Sequence, residues 1–116
     1  MVAKQNLRVY QGSDFRRVME FKTEDDNLID LTGFSFKGQV KASYSDSTPV
    51  MSFTFEIRSQ ETDKGMVDMR LLASDSALIN IPKMTKYLYD IEMTDQNGVI
   101  RRVVEGTLEL MPEVTK

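Results

Sequence analysis

The chain has 116 residues, of which 41% are hydrophobic and 28% charged, and its formal net charge at pH 7 is -3. This balance is typical of one globular domain with a packed core, and it gives no broad cationic surface to attract nucleic acid or anionic lipid. The sequence contains neither cysteine nor histidine. It therefore lacks disulfides, thiolate nucleophiles and the side chain best suited to acid–base chemistry near neutral pH, which predicts a non-enzymatic domain without cofactor or metal that folds in a reducing cytosol.

The chain shows no sign of membrane insertion or of a second domain. No apolar run approaches the roughly 20 residues that a membrane-spanning helix needs, and residues 1–6 contain no apolar stretch like that of a signal peptide. No linker, repeat or low-complexity tract divides the sequence. We therefore expect a single β-sandwich domain over residues 1–116.

The first strands are predicted at Leu7–Tyr10 and Asp14–Lys22, and the acidic stretch Thr23–Asn27 follows them. Paired carboxylates can divide acid and base roles in glycoside hydrolysis, but adjacent acids in a loop are usually solvated. We expect a solvated loop here. A small carboxylate-dependent hydrolase remains the enzymatic alternative, and its acids would come from Glu24, Asp25, Asp26, Asp90 and Glu92.

The centre of the chain predicts an antiparallel hairpin. Apolar and polar side chains alternate strictly through Phe34–Ala42 and again through Met51–Arg58, which is the pattern of half-buried strands. The stretch between them, Ser43–Pro49, has the serine, aspartate and proline residues that favour a turn. We expect the two strands to pair across this turn.

A strand is predicted at Met66–Leu72, and the segment after it breaks the β pattern. Ser74 is an N-cap candidate followed by good helix formers, and Pro82 lies just beyond the end. We expect one or two helical turns over residues 74–80. Leu78 and Ile79 would close one open end of the sandwich.

The last strands are predicted at Lys86–Thr94, Val99–Val104 and Gly106–Met111. Asp95–Gly98 between the first two has the oxygen spacing with which some calcium loops begin, but the later glutamate of such loops is missing. Asn-Gly favours a hairpin turn instead. About eight short strands at this spacing imply a sandwich or barrel, and we expect an all-β, immunoglobulin-like antiparallel β-sandwich of about seven to eight strands with the one short helix.

Two adjacent arginine pairs, Arg16-Arg17 and Arg101-Arg102, are unusual for strands with one buried face. In each pair one guanidinium should point to the core side, because side chains alternate between faces. The simpler explanation is a strand end, a bulge or a buried acid partner. The alternative is that another subunit covers these faces, since arginine is enriched in protein interfaces.

Four strings along the chain are similar to segments of a known group of proteins. They are Tyr10-Gln11-Gly12-Ser13-Asp14-Phe15, Asn27-Leu28-Ile29-Asp30-Leu31-Thr32-Gly33, Tyr89-Asp90-Ile91-Glu92 with Asp95 and Gly98 behind it, and Gly106-Thr107-Leu108-Glu109-Leu110-Met111-Pro112-Glu113-Val114-Thr115. In these strings, and over nearly its whole length, the chain resembles the small β-sandwich modules of tailed-bacteriophage virion proteins, including the N-terminal domain of upper baseplate proteins.

The resemblance implies a non-enzymatic structural subunit or adaptor in the phage tail, baseplate or fibre region. It would contact copies of itself or neighbouring virion proteins, with no cofactor and no catalytic residues. It would fold in the bacterial host cytoplasm and reside in the virion. Baseplate proteins of this kind continue beyond the domain, whereas this chain stops at Lys116, so it is either a stand-alone protein or a fragment.

The competing binding function is an immunoglobulin-like adhesion module that contacts a host surface glycan or protein. Both functions suit the same fold, because a fold does not fix a function. They differ in the partner. A self-assembling subunit forms a discrete oligomer alone, whereas an adhesion module can stay monomeric.

Overall fold

The structure is a computed structural model that describes residues 2–77, 79, 81 and 83–113. Within these residues the strands are β1 (Ala3–Lys4), β2 (Leu7–Tyr10), β3 (Phe15–Glu20), β4 (Ser35–Lys41), β5 (Met51–Ile57), β6 (Met66–Leu71), β7 (Thr85–Thr94) and β8 (Ile100–Met111), and the helix is α1 (Ala73–Ala77). The predictions of a β-rich chain and of one short helix near Ser74 are confirmed.

The strands form one curled, mixed sheet in the order β1-β8-β7-β4-β5-β6-β3, and β2 also pairs with β8. The curl centres on β5, which changes partner along its length. Met51–Phe53 pairs with β4, and Thr54–Ile57 pairs with β6. Strands that switch partners in this way make the corners of folded-over sheets.

The core lies inside the curl, and the alternation of the central hairpin explains how it forms. Val40 on β4 and Met51 and Phe53 on β5 are buried, as predicted, and the Phe53 ring meets the Tyr89 ring edge-on at 5.8 Å between centroids. Tyr87, Tyr89 and Ile91 of β7 are also buried. Aromatic and branched side chains of this size supply most of the hydrophobic stabilisation.

The expectation of a wholly antiparallel arrangement is wrong. Strands β1 and β2 run parallel to β8, with Ala3 opposite Val104 and Leu7 opposite Leu108. Apolar alternation reports which face of a strand is buried and carries no information about the direction of its neighbour. Since β1 and β2 are far from β8 in the sequence, no short turn forces them to be antiparallel to it.

The expectation of two strands at 99–104 and 106–111 is also wrong, because β8 runs without a break across Gly106. Glycine serves there for close approach: a Cβ on Gly106 would overlap the Gln5 carbonyl. The irregularity in β8 is instead a bulge at Val103, since Ile91 faces Val104 whereas Glu92 faces Arg102. A bulge leaves one residue unpaired and reverses the face on which the following side chains lie.

Helix α1 begins one residue earlier than predicted, and Ser74 is not its N-cap. The Leu72 carbonyl accepts hydrogen bonds from the amides of Asp75 and Ser76, and the Asp14 carboxylate accepts one from the Ala73 amide at 2.8 Å. A side chain from another part of the chain therefore caps the helix. Ile79 packs against the core. The other residue of the expected plug, Leu78, and the expected stop at Pro82 lie outside the described residues.

Candidate protein-contact site

A cleft of about 700 Å³ lies between β3 and the first half of β8 in the described part of the chain. Half of its lining residues are apolar, and they include Met19, Phe21, Ile29, Met93, Val103 and Val104. Arg17, Arg101 and Arg102 add positive charge, while Glu20 and Glu24 add negative charge. The cleft therefore combines apolar, arginine and carboxylate side chains, which is the chemistry of a protein-contact surface.

The cleft exists because the curled sheet does not close. After β2, the turn at residues 11–14 carries the chain from the side of β8 to the side of β6, so β3 pairs with β6. Within the described part of the chain, no strand lies on the other side of β3. The gap between β3 and β1 is left open.

The arginine pairs confirm the prediction about strand faces. Arg17 lies opposite Met69 on the core side of β3, and Arg101 lies opposite Met93 on the core side of β8. Both are nevertheless exposed, because each reaches the cleft instead of the closed core. The Arg17 guanidinium lies 5.3 Å from the centroid of the Phe15 ring, a cation–π distance.

Of the strand end, bulge or buried acid expected beside an arginine pair, a bulge is present next to Arg101-Arg102. The bulge at Val103 directly follows this pair, so Arg101 lies opposite Met93 on the inner side and Arg102 opposite Glu92 on the outer side, although Val104 also lies on the inner side, opposite Ile91. Arg102 Nε is 3.2 Å from Asp90 Oδ2, an exposed ion pair of small energetic value. Whether another subunit covers these arginines stays a prediction.

Strand β3 presents an open hydrogen-bonding edge. Just beyond β3, the Phe21 amide donates to the Gly65 carbonyl at 2.8 Å, which continues the β3–β6 ladder through odd-numbered residues. On the other side of β6, the Arg58 amide donates to the Met66 carbonyl at 3.1 Å, so the even-numbered residues of β6 bond to β5. The backbone groups of the odd-numbered β3 residues therefore face β6. Backbone groups alternate in direction along a strand. The N–H and C=O groups of Arg16, Val18 and Glu20 therefore point away from β6, toward the open side.

Exposed apolar side chains lie on β3 and at the start of β8, the two strands that border the cleft. Val18 is 48% exposed, and Val99 and Ile100, which precede Arg101, are 46% and 62% exposed. Single exposed apolar residues are ordinary on protein surfaces. Val18 lines the cleft and belongs to the open strand, which makes this side of the molecule the best candidate for protein contact.

A second, smaller hollow of about 260 Å³ lies on the outer face of β4, β7 and β8. Its lining is more polar and includes Gln39, Lys41, Tyr44, Asp90, Glu92 and Arg102. Tyr44 projects from the turn between β4 and β5 and is 81% exposed. This hollow offers an aromatic ring beside several hydrogen-bonding groups.

The five acids of the hydrolase alternative do not converge. Glu24 lines the cleft, whereas Asp90 and Glu92 line the outer hollow, on the opposite face of β7 from Met93. Asp26 belongs to the exposed turn at 23–27, where Lys22 Nζ lies 3.4 Å from its carboxylate. Hydrogen bonds and the charge of Asp26 raise the pKa of Lys22. Asp90 and Glu92 therefore share one hollow, and the acids of the turn at 23–27 lie apart from it.

The Asp95–Gly98 segment is a hairpin turn, as predicted. The Gly98 amide donates to the Asp95 carbonyl at 3.0 Å, and Gly98 has φ of 83°, a conformation that glycine adopts without strain. Asp95 Oδ1 accepts hydrogen bonds from the amides of Asn97 and Val99. Among the described residues, no cluster of three acidic side chains is placed to hold a metal ion.

Two buried polar groups that the sequence did not reveal have structural roles. Arg58 donates from Nε and Nη2 to the two carboxylate oxygens of Asp68, at 3.0 and 2.9 Å, and this bidentate pair lowers the pKa of Asp68. Tyr89 donates its hydroxyl hydrogen to the Gln5 carbonyl at 2.8 Å. Burial raises the pKa of Tyr89 to about 12.

In comparisons with known proteins, no family model matches the chain and no curated protein matches it. In the described part of the chain, no helix has the length and apolar character needed to cross a bilayer. Geometry and residue chemistry therefore carry the functional argument.

Proposed function

We propose that this domain is a non-enzymatic assembly module of a tailed-phage virion, in the tail, baseplate or fibre region, and that it acts through protein–protein contacts. The observation that carries the proposal is the open edge of β3 beside the cleft that apolar and arginine side chains line. An unpaired strand edge is a ready template for another chain, and arginine and methionine are enriched where proteins meet.

The strings that resemble phage modules occupy architectural positions, which supports a structural role. In the first of them, the Gln11 side chain donates to the carbonyls of Ser76 and Ile79, and the Gly12 amide donates to Ser76 Oγ. In the second, the Leu31 amide donates to Gln60 Oε1 at 2.8 Å. These residues join distant parts of the chain.

We also propose that the curled sheet is an immunoglobulin-like sandwich. If β2 is strand A, the neighbours β3-β6-β5 correspond to B-E-D and the neighbours β4-β7-β8 to C-F-G, which are the two sheets of that fold. An experimental structure with these groups packed face to face would support the assignment. A closed barrel would contradict it.

A second candidate is the adhesion module, and the outer hollow with Tyr44 is the observation that favours it. An exposed tyrosine ring next to carboxylate, amide and ammonium groups offers both an apolar face and hydrogen bonds to a glycan. The test is to titrate the protein with a panel of glycans and to monitor its NMR chemical shifts. Shifts confined to residues around Tyr44 and lost in Tyr44→Ala would support adhesion, and their absence would exclude it for those glycans.

The test of the assembly proposal is protein analysis of phage particles from the source strain, purified on a density gradient and chemically cross-linked. We expect the chain to co-purify with the particles and to cross-link to another virion protein through Lys22, which borders the cleft. Lys37 on the outer face of β4 is the internal comparison. Particles that lack the chain would overturn the proposal.

A further inference from the structure

We propose that β3 is a self-pairing edge: β3 of one chain pairs antiparallel with β3 of a second copy about a two-fold axis at Val18. Self-pairing rests on the proposed function in one respect, namely that the domain acts through protein contacts. It names the partner, a second copy of this chain, and the register in which the two strands meet.

The backbone geometry allows few registers. Only Arg16, Val18 and Glu20 turn their N–H and C=O groups toward the open side of β3, so a partner strand must match these even-numbered positions with its own. In the register centred on Val18, Val18 faces Val18 of the second copy and Arg16 faces Glu20 of the second copy, twice by symmetry. Three residue pairs then exchange backbone hydrogen bonds across the new junction.

Charge selects this register from its neighbours. A shift of two residues in one direction places Arg17 opposite its own symmetry copy and Asp14 opposite Glu20. Larger shifts place Arg16 opposite Arg16, or Glu20 opposite Glu20. Like charges directly opposite destabilise a strand pair, whereas opposite charges stabilise it, so the Val18-centred register is the one that the side chains favour.

The environment of Arg16 strengthens the argument. Inside the chain, Arg16 lies directly opposite Arg70 across the β3–β6 ladder, and the acid nearby, Asp68, is already bonded to Arg58. A Glu20 carboxylate from a second copy would place an acid on the other side of Arg16. Glu20 is available for this, because its contact with Lys22 Nζ at 3.4 Å joins two exposed side chains and is worth little.

Arg17 does not obstruct the edge. An inward-pointing charge on an edge strand normally discourages pairing, and Arg17 lies on the core side of β3. Its guanidinium is folded back over the Phe15 ring, 5.3 Å from the centroid, so it lies along its own strand. In the proposed register its opposite residue is Met19 of the second copy, an unbranched side chain that adapts to such a neighbour.

Charge-reversal variants test the register by sedimentation equilibrium over a wide concentration range. We expect the wild type to form a dimer. Arg16→Glu and Glu20→Arg each create two like-charged pairs and should weaken the dimer by roughly tenfold or more. The double variant R16E/E20R exchanges the two charges and should restore the wild-type dissociation constant.

Two further variants keep the test decisive. Lys37→Glu changes the net charge as much as Arg16→Glu does, but at an exposed position of β4, and should leave the dimer unchanged. Val18→Lys places two lysines at the axis and should weaken the dimer without unfolding the chain, because Val18 is half exposed.

The outcomes separate the two proposals. A wild type that stays monomeric at every concentration, or a double variant that fails to regain the dimer, overturns self-pairing. If that chain still cross-links to another virion protein, the assembly function stands and the edge accepts a foreign strand instead. Absence of the chain from particles would overturn the assembly function, whatever the oligomeric state.

Discussion

The Asp14 carboxylate accepts a hydrogen bond from the Ala73 backbone amide, with 2.8 Å between Oδ1 and N. Asp14 ends the turn that leads into β3, and Ala73 begins α1, so this bond joins the start of the open edge to the helix. Gln11 and Gly12 of the same turn bond to Ser76 and Ile79. Hydrogen bonds between the turn at 11–14 and the helix region therefore fix where β3 starts.

Removing the helix cap should weaken the attachment of the turn at 11–14 to α1. We expect Asp14→Ala to lower the free energy of unfolding by about 1 kcal/mol, because the first helical amide loses its acceptor. Urea unfolding followed by circular dichroism measures the change. Asp25→Ala, which removes the same charge from the exposed turn at 23–27, is the matched control and should have little effect. Equal effects of the two substitutions would contradict the capping role.

Gly106→Ala should destabilise the chain because the new Cβ meets the Gln5 carbonyl. We expect a loss of about 1–3 kcal/mol, the usual cost of overpacking, with detachment of β1 from β8. In a chain that lacks residues 1–5 the obstacle is gone, so the same substitution should cost much less. Urea unfolding measures the cost of Gly106→Ala in the full chain and in the chain that lacks residues 1–5, each against the same chain with Gly106. An undiminished cost in the shortened chain would mean that the strain comes from elsewhere.

The alternating pattern predicted most of the local structure. The central hairpin, the Asn-Gly turn and the helix near Ser74 were predicted because each depends on neighbouring residues. The parallel pairing of β1 and β2 with β8 was not, since it joins opposite ends of the chain. Gly106 lies inside β8 and not at a strand boundary, and sequence alone does not distinguish a glycine needed for a turn from one needed for close backbone approach.

The candidate site was only partly predictable. Alternation placed Arg17 and Arg101 on the core sides of their strands, and both line the cleft. What the sequence could not show is that β3 and β8 lie on either side of one gap. That depends on the sheet order and on the bulge at Val103, neither of which has a distinctive local signal in this chain.

Tyr89 should make stability sensitive to alkaline pH. Burial raises its folded pKa to about 12, against an ordinary value of 10.0, although the positive charge of Arg17 opposes the shift. Because the folded pKa is the higher one, the contribution of the neutral phenol is complete below pH 10.0 and is lost as pH rises through the folded pKa. As pH rises above 10.0, the wild type should therefore lose stability relative to Tyr89→Phe. Urea midpoints of the two proteins at each pH measure the change. A difference that is constant with pH would contradict the buried phenol.

Asp68 should have the opposite effect, at acidic pH. Hydrogen bonds from Arg58 lower its folded pKa below the ordinary 3.8, so its contribution is complete above that value and is lost as pH falls through the folded pKa. Asp68→Asn should cost most stability near neutral pH, and the difference from wild type should shrink in acid. Urea midpoints across the acidic range measure it. Glu61→Gln, at an exposed site, is the control, and a deficit of Asp68→Asn that persists unchanged in strong acid would contradict the ion pair.

The open edge of β3 is the central claim, and amide hydrogen exchange at Arg16, Val18 and Glu20, followed by NMR at low and high protein concentration, tests it most directly. At low concentration these amides should exchange fast while those of Arg17 and Met19, which face β6, are protected. At high concentration Arg16, Val18 and Glu20 should become protected as a second copy pairs with the edge. Protection at low concentration would show that the edge is already occupied within the chain, and fast exchange at every concentration would contradict self-pairing.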